Sequence, residues 1–321
     1  MSSAPTWGVV ATIKAPARDI LNFVAHHLDL GAHRVHVYLD AANPEAEAAL
    51  RSHPACRVIL CDDAYWQRRR NGRPRAHQPR QSINATHCLN QDPEVDWLGH
   101  FDVDEFLWPA RPLAAQLAAL PARTLSARIR PIEAMASDPA DPPPPGLRWF
   151  KACAVPADRR RQETDAIYPV FGPHLNGGFL SHVAGKVLIR TGPTGLSLRI
   201  HNAFRNGLKD DAPADLPETL LCHLHAADWE HWWETYRFRL SDGSYRSELK
   251  PAPLSGGTGL NMNALFQKLE QDGGEAALRQ FFAEVCTANP DLRSRLEALG
   301  HLHLHALDHD AKRKRHFPQF G

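Results

Sequence analysis

The first sixty residues alternate two hydrophobic patterns, and that alternation limits the possible folds more than any other feature. Trp7 to Lys14 (WGVVATIK) is a short apolar run rich in β-branched residues, which suits a strand buried on both faces. From Ala17 to Leu30, Ile20, Phe23, Val24, His27 and Leu28 recur at helical spacing, with Pro16 near the first turn and Gly31 as a stop. Val35 to Leu39 returns to strand, Pro44 to Arg51 favours helix, and Arg57 to Cys61 is strand again. This β, α, β, α, β series predicts an α/β fold, a mixed and mostly parallel sheet flanked by helices.

After an Arg-rich loop over residues 68 to 80, a polar helix from Arg80 to Asn90 leads into a fourth strand, Trp97 to Phe101. Ligands in open α/β sheets bind beyond the carboxyl ends of strands, and Asp40, Asp62 and Asp102 all fall there. Further on, the pattern predicts a helix at Leu113 to Leu120 and strands at Leu125 to Ile132, Gly178 to Arg190, Leu196 to Phe204 and Thr219 to His225, with the prolines 142 to 145 in a loop. From Asp228 the chain reads as mainly helical. The expected organisation is one α/β domain over residues 1–246 and a helical C-terminal extension over 247–321. In that extension His301, His303, His305 and His309 read as solvated, and Lys312 to Arg315 as a frayed basic end.

Composition narrows the partners. Lys and Arg number 37 against 36 Asp and Glu, a net charge of +1, so no global field favours nucleic acid or an anionic membrane. No stretch approaches the roughly 18 apolar residues of a membrane span. Six scattered cysteines without a Cys-x-x-Cys pair read as reduced thiols. The expectation is a cytoplasmic protein, with peripheral membrane association left open.

The segment Trp97-Leu98-Gly99-His100-Phe101-Asp102-Val103-Asp104-Glu105-Phe106-Leu107-Trp108 carries the chemistry. Carboxylates set among aromatic and aliphatic residues are costly to desolvate unless paired, protonated or bound to a cation. The spacing of Asp102 and Asp104 lets both turn toward one Mg²⁺ or Mn²⁺, whose open positions accept diphosphate oxygens. Glu105 adjoins them and is expected to orient a ligand. His223 and His225 alternate along a predicted strand and share a side, so either is a candidate third metal ligand or an ordinary polar residue. Arg80 and Gln81 open a helix and are candidates for phosphate contact, and Lys186 for a phosphate or sugar hydroxyl.

WLGHFDVDEFLW resembles the Asp-x-Asp (DXD) signature of GT-A glycosyltransferases, nearest the family 2 and family 92-like group. Other segments are similar in order: Lys14-Ala15-Pro16 stands at the family's Lys-Asn-Glu-like turn, His26-His27 before Gly31, and Tyr38-Leu39-Asp40 at the strand whose Asp faces the nucleotide. Arg80-Gln81 to Ala85, Gly185-Lys186 and His223-Leu224-His225 follow. Lys14 lacks the usual following Asn-Glu, and Asp40 lacks the Ser-x-Asp tail. The resemblance implies a GT-A fold and metal-dependent transfer from a nucleotide-sugar donor, UDP-linked, to a glycan or other hydroxylated acceptor. It also implies inversion and favours His223 as a metal ligand. Glu133 and Asp165 are candidate bases for an inverting reaction.

Two rivals make different demands. A sugar-phosphate nucleotidyltransferase calls for a Gly-rich first loop, and Lys14 to Asp19 contains no glycine. A non-catalytic carbohydrate- or nucleotide-binding protein on the same fold is favoured by Ala15 and Ala42, and opposed by intact Asp102, Asp104 and His223.

Overall fold

Trp7–Ile13 forms a strand (β1) buried at all 7 positions, as its unbroken apolar run requires. The structure, a computed structural model, describes residues 4–69, 71–241, 243, 245–247 and 260–320. After β1 come α1 (Ala17–Asp29), β2 (Arg34–Leu39), α2 (Pro44–Ser52), β3 (Cys56–Leu60), α3 (Asp63–Gln67), α4 (His77–Asn90), β4 (Trp97–His100), β5 (Glu105–Pro109), α5 (Leu113–Ala118) and β6 (Ser126–Ala134). Then follow β7 (Leu147–Lys151), α6 (Ala157–Ile167), β8 (Lys186–Arg190), β9 (Leu196–Leu198), β10 (Ala203–Arg205), β11 (Leu208–Lys209) and β12 (Ala214–His223). The chain closes with α7 (Trp229–Ser241), α8 (Met262–Val285), α9 (Pro290–Ala298), β13 (Leu302–Ala306) and α10 (His309–His316).

The chain divides into two compact units that interleave in sequence. One holds Met1–Arg130, Ala184–Leu221 and Leu307–Gly321; the other holds Pro131–Val183 and Cys222–Ala306.

In the first unit the strand order is β6–β8–β4–β1–β2–β3. β4, β1, β2 and β3 are parallel neighbours, while β8 runs antiparallel to β4 and to β6. The register sets Val9 beside Val35 and Gly99. The chain moves outward from β1 through β2 to β3 and then returns to the opposite side of β1 as β4. The reversal opens a crevice at the carboxyl ends of β1 and β4, where such sheets bind ligands. Local signals place the helices: Gly31, at φ +91°, follows α1, and Asn43 accepts the Ala46 N–H (3.1 Å) at the start of α2, with Pro44 behind it.

In the second unit β7 pairs antiparallel with β13 and with Glu133 and Ala134 of β6. Its core joins Trp232, Tyr236, Tyr245, Phe266, Phe281 and Phe282.

Several expectations are corrected. The strand predicted from Gly178 to Arg190 is confined to β8, because Gly177, Gly178 and Gly185 hold φ values of +72°, +74° and +70° that break an extended run. Leu196 to Phe204 is two short strands, β9 and β10, paired antiparallel rather than one. His301 to His305 is not a solvated tail. Its alternating His-Leu pattern is a strand period, and β13 pairs along β7 from Leu302 to Ala306. Lys312 to Arg315 is not frayed either: it forms α10, with Lys312 and Arg313 buried. Arg70 of the Arg-rich loop lies outside the described residues. Among the described residues no helix is long and apolar enough to cross a membrane.

Candidate active site

β4 ends at His100, and the acidic turn follows at the mouth of the crevice. The turn closes on itself: the Glu105 N–H donates to the Asp102 carbonyl (3.0 Å), and the Asp102 N–H donates to Glu105 Oε2 (2.8 Å). Glu105 is thereby drawn into the protein and is wholly buried, whereas the Asp102 side chain keeps 27% of its surface and Asp104 is half-buried.

Lys186, the first residue of β8, reaches this turn from the neighbouring strand. Its ammonium lies 2.7 Å from Asp102 Oδ2 and 3.1 Å from Glu105 Oε2, with no exposed side-chain surface. Burial alone would depress its pKa, but the Asp102 and Glu105 charges overcome that and raise it well above the ordinary range. Gly185 makes the approach possible. A Cβ on Gly185 would stand 2.0 Å from the Ile129 carbonyl oxygen on β6, and its φ of +70° suits glycine. The Gln81 amide, from the first turns of α4, donates to Asp102 Oδ1. Asp102 is thus fixed by an ammonium on one oxygen and an amide on the other.

A second cluster forms at the end of β2. Asp40 has no exposed side-chain surface; Arg80 meets its Oδ2 at 2.8 Å and Arg73 its Oδ1 at 3.2 Å, with His77 Nδ1 3.6 Å away. Burial raises the Asp40 pKa, yet hydrogen bonds from His77 and Arg80 dominate and hold it below the usual carboxylate range. Beside this cluster a cavity of about 330 Å³ opens at the ends of β1 and β2, lined by Ile13, Lys14, Ala15, Ala41, Ala42 and Asn43. Lys14 is exposed at its edge.

In this unit the structure gathers Gln81, Asp102, Glu105 and Lys186 into one network, and Asp40 with Arg80 into another. The sequence reading missed three partners. Arg73 lies in the Arg-rich loop, of which only Arg80 was singled out for phosphate contact, and His77 precedes the helix start expected at Arg80. His100 is buried, with its pKa pushed down to about 4 by burial first and the Lys186 charge second. Its place just before Asp102 was the only signal available for it.

The remaining candidates belong to the second unit. His223 and His225 do come together, with ring centroids 5.3 Å apart and His182 5.4 Å from His223. β12 stops at His223, so His225 sits in the following turn. His225 Nε2 pairs with the Tyr245 hydroxyl at 3.0 Å, and that hydroxyl also accepts from Trp232 Nε1 (3.0 Å). Burial, then the Arg239 charge, keeps His225 neutral. Glu133 is fully buried and accepts from the Leu180 N–H, the Ser181 N–H and the Ser181 hydroxyl at 3.0, 2.9 and 2.6 Å, with Lys151 3.5 Å away. Those partners describe a structural anchor. Asp165 sits on α6, 41% exposed, in an i,i+4 pair with Arg161 (2.7 Å).

The family model described as Glycosyltransferase family 92 matches residues 10–248. No curated protein matches the chain. Among solved structures, one titled as a mycobacterial protein is similar at 13% identity, covering 59% of this chain and 54% of that one with a TM-score of 0.30. An active-site mutant of LgtC is similar at 12% identity, covering 57% of each chain with a TM-score of 0.27. The galactosyltransferase LgtC in complex with donor and acceptor sugar analogs is similar at 12% identity, covering 90% of this chain and 100% of that one with a TM-score of 0.31. The chain thus spans little more than half the length of the first two.

Proposed function

The chain belongs to glycosyltransferase family 92, and on that footing we propose that it transfers a sugar from a nucleoside diphosphate donor, UDP-linked, to a hydroxyl of a glycan or other hydroxylated acceptor. The reading includes dependence on Mn²⁺ or Mg²⁺ and inversion at the anomeric carbon. A cytoplasmic setting, supported by six free cysteines, is part of it.

The observation that carries the proposal is the acidic turn Asp102 to Glu105 held by Lys186 and Gln81 at the carboxyl end of β4. The carboxylate oxygens of Asp102 and Asp104 suit a hard divalent ion, and His223 and His225 stay candidate further ligands. Asp102, Asp104 and Glu105 bring three carboxylates into one short turn, a concentration of negative charge that attracts a divalent cation. Asp102 and Asp104 would hold the ion. Asp102 shares its oxygens with Lys186 and Gln81, so it contributes a direction fixed in advance. When bound, the ion takes up charge that develops on the departing diphosphate.

The chain's own residues do the rest. The cavity beside Lys14 and Asn43 receives the nucleoside, with Lys14 at its edge and Arg73 and Arg80 oriented by Asp40. Two guanidiniums around one carboxylate leave net positive charge for phosphate oxygens, and Arg forks suit them bidentately.

Calorimetry with UDP and Mn²⁺ tests the reading, followed by nucleotide release with a panel of UDP-sugars and acceptors and by the anomeric configuration of the product. UDP affinity is expected to depend on Mn²⁺ and to fall at least about tenfold, roughly 1.4 kcal/mol, in Asp104→Ala and Asp102→Ala. Unchanged UDP binding in both variants would refute the metal assignment. Binding without release for every acceptor would point instead to a non-catalytic binding protein.

A further inference from the structure

A cavity of about 510 Å³ lies wholly within the second unit, and its volume falls in the range of roughly 300–1,000 Å³ typical of small-molecule sites. Trp149 and Trp229 supply aromatic surface; Arg148, Asp228, Glu230 and Arg279 supply charge. We propose that this cavity is a subsite for a neutral pyranose residue of the acceptor glycan. The acceptor assignment rests on the transfer reading above, whereas the sugar assignment rests on the cavity.

Charge decides first. Two guanidiniums and two carboxylates line the cavity, and the Arg279 guanidinium is itself paired with Glu275 (2.8 Å), so the lining offers no net positive field to a phosphate. The same four groups are chemically one-sided: guanidiniums only donate hydrogen bonds and carboxylates only accept them. A ligand that satisfies both kinds must donate and accept at closely spaced positions, as adjacent sugar hydroxyls do. A nucleotide would set its phosphates against Asp228 and Glu230.

Shape and rigidity agree. The Trp229 indole stacks on Trp233 (5.4 Å, 15° between planes), and the Arg279 guanidinium lies 4.3 Å above it, giving a layered planar wall. Phe282 meets Trp229 edge-on at 5.4 Å, which fixes the indole's tilt. The rim is set in advance of any ligand: Asp228 accepts the His231 N–H (2.7 Å) at the opening of α7, and Arg148 donates to the Ala227 carbonyl (3.0 Å). Trp229 and Trp233 lie within residues 10–248, while Arg279 and Phe282, which hold the indole from either side of the wall, lie beyond the family match.

The test titrates the full chain with methyl glycosides of glucose, galactose, mannose and N-acetylglucosamine, and with glucose 6-phosphate, by calorimetry and ligand-observed NMR. The variants are Glu230→Gln and Arg279→Ala at exposed positions, and Ser137→Trp, which fills the cavity from an exposed loop. At least one neutral glycoside should bind more tightly than the phosphate ester. Its affinity should fall about tenfold in the first two variants and vanish in the third, with thermal midpoints and UDP–Mn²⁺ binding unchanged. Equal glycoside binding in all four proteins overturns the proposal, as does UDP–Mn²⁺ binding with no neutral glycoside bound. Cavity-dependent glycoside binding in a protein that ignores UDP supports the sugar subsite and removes only the transfer reading.

Discussion

Lys186 brings a full positive charge into a position with no exposed surface, and the acidic turn depends on it. An ammonium so placed is tolerable because Asp102 and Glu105 both lie within 3.1 Å. Remove it and two carboxylates face each other across a buried gap. Breaking such a pair from one side costs about 3–5 kcal/mol, so Lys186→Met is expected to lower the thermal midpoint sharply as well as abolish UDP–Mn²⁺ binding. Asp104→Asn should behave differently. Its side chain is half-buried, so stability should change by less than about 1 kcal/mol while the metal-dependent part of UDP affinity is lost. Thermal melts of both variants decide the matter: a Lys186→Met protein as stable as wild type would show that Lys186 is not the counter-ion of the turn. Asp102 and Asp104 were legible in the sequence because neighbours in the chain display their spacing directly. The role of Lys186 was not, since its partner lies 84 residues away and only the β4–β8 pairing brings the two together.

At the scale of elements, α10 shows where local composition misleads. Four consecutive basic residues suggest a solvated end, yet the docking of this helix is set by α1. Arg313 donates to Asn22 Oδ1 (2.5 Å), Lys312 lies 3.2 Å from His26 Nδ1, and Arg315 pairs with Asp29. The same His26 meets the Leu107 carbonyl through Nε2 (2.8 Å), and His309 packs on Phe106 at 4.3 Å, so α1 and α10 together brace the strand that leaves the acidic turn. Phe317, just beyond α10, is 2% exposed and packs near His53 (5.6 Å). Phe317→Ala is therefore expected to destabilise the protein by about 3–5 kcal/mol and to raise hydrogen exchange in α1. A frayed end would leave denaturant midpoint and exchange untouched. The early β, α, β series was readable because each element buries an apolar face at its own period. β5 and β7 escaped notice because they are short and long-range pairing decides their state, and α6 because it is polar and shows little helical periodicity.

For the molecule as a whole, buried histidines link stability to pH. His26, His27 and His36 are buried in the first unit, and burial leads the causes that keep each of them neutral. His27 is the sharpest case: wedged between Phe101 and Phe106 with Nδ1 on the Phe23 carbonyl, it has its pKa pushed down from 6.5 to about 4. The native state therefore binds fewer protons than the unfolded chain between those values. Stability is complete above pH 6.5 and drains as pH falls toward 4, with a slope of about 1.4 kcal/mol per pH unit from each such histidine. Urea midpoints measured at pH 7, 6 and 5 should decline steadily, before most carboxylates begin to protonate. His27→Gln cannot charge, so that variant should start lower at pH 7 and show a shallower decline. A wild-type midpoint flat across this range would mean that the buried histidines find compensating protonated contacts, and the neutral packing of α1 against Phe101 and Phe106 would have to be abandoned.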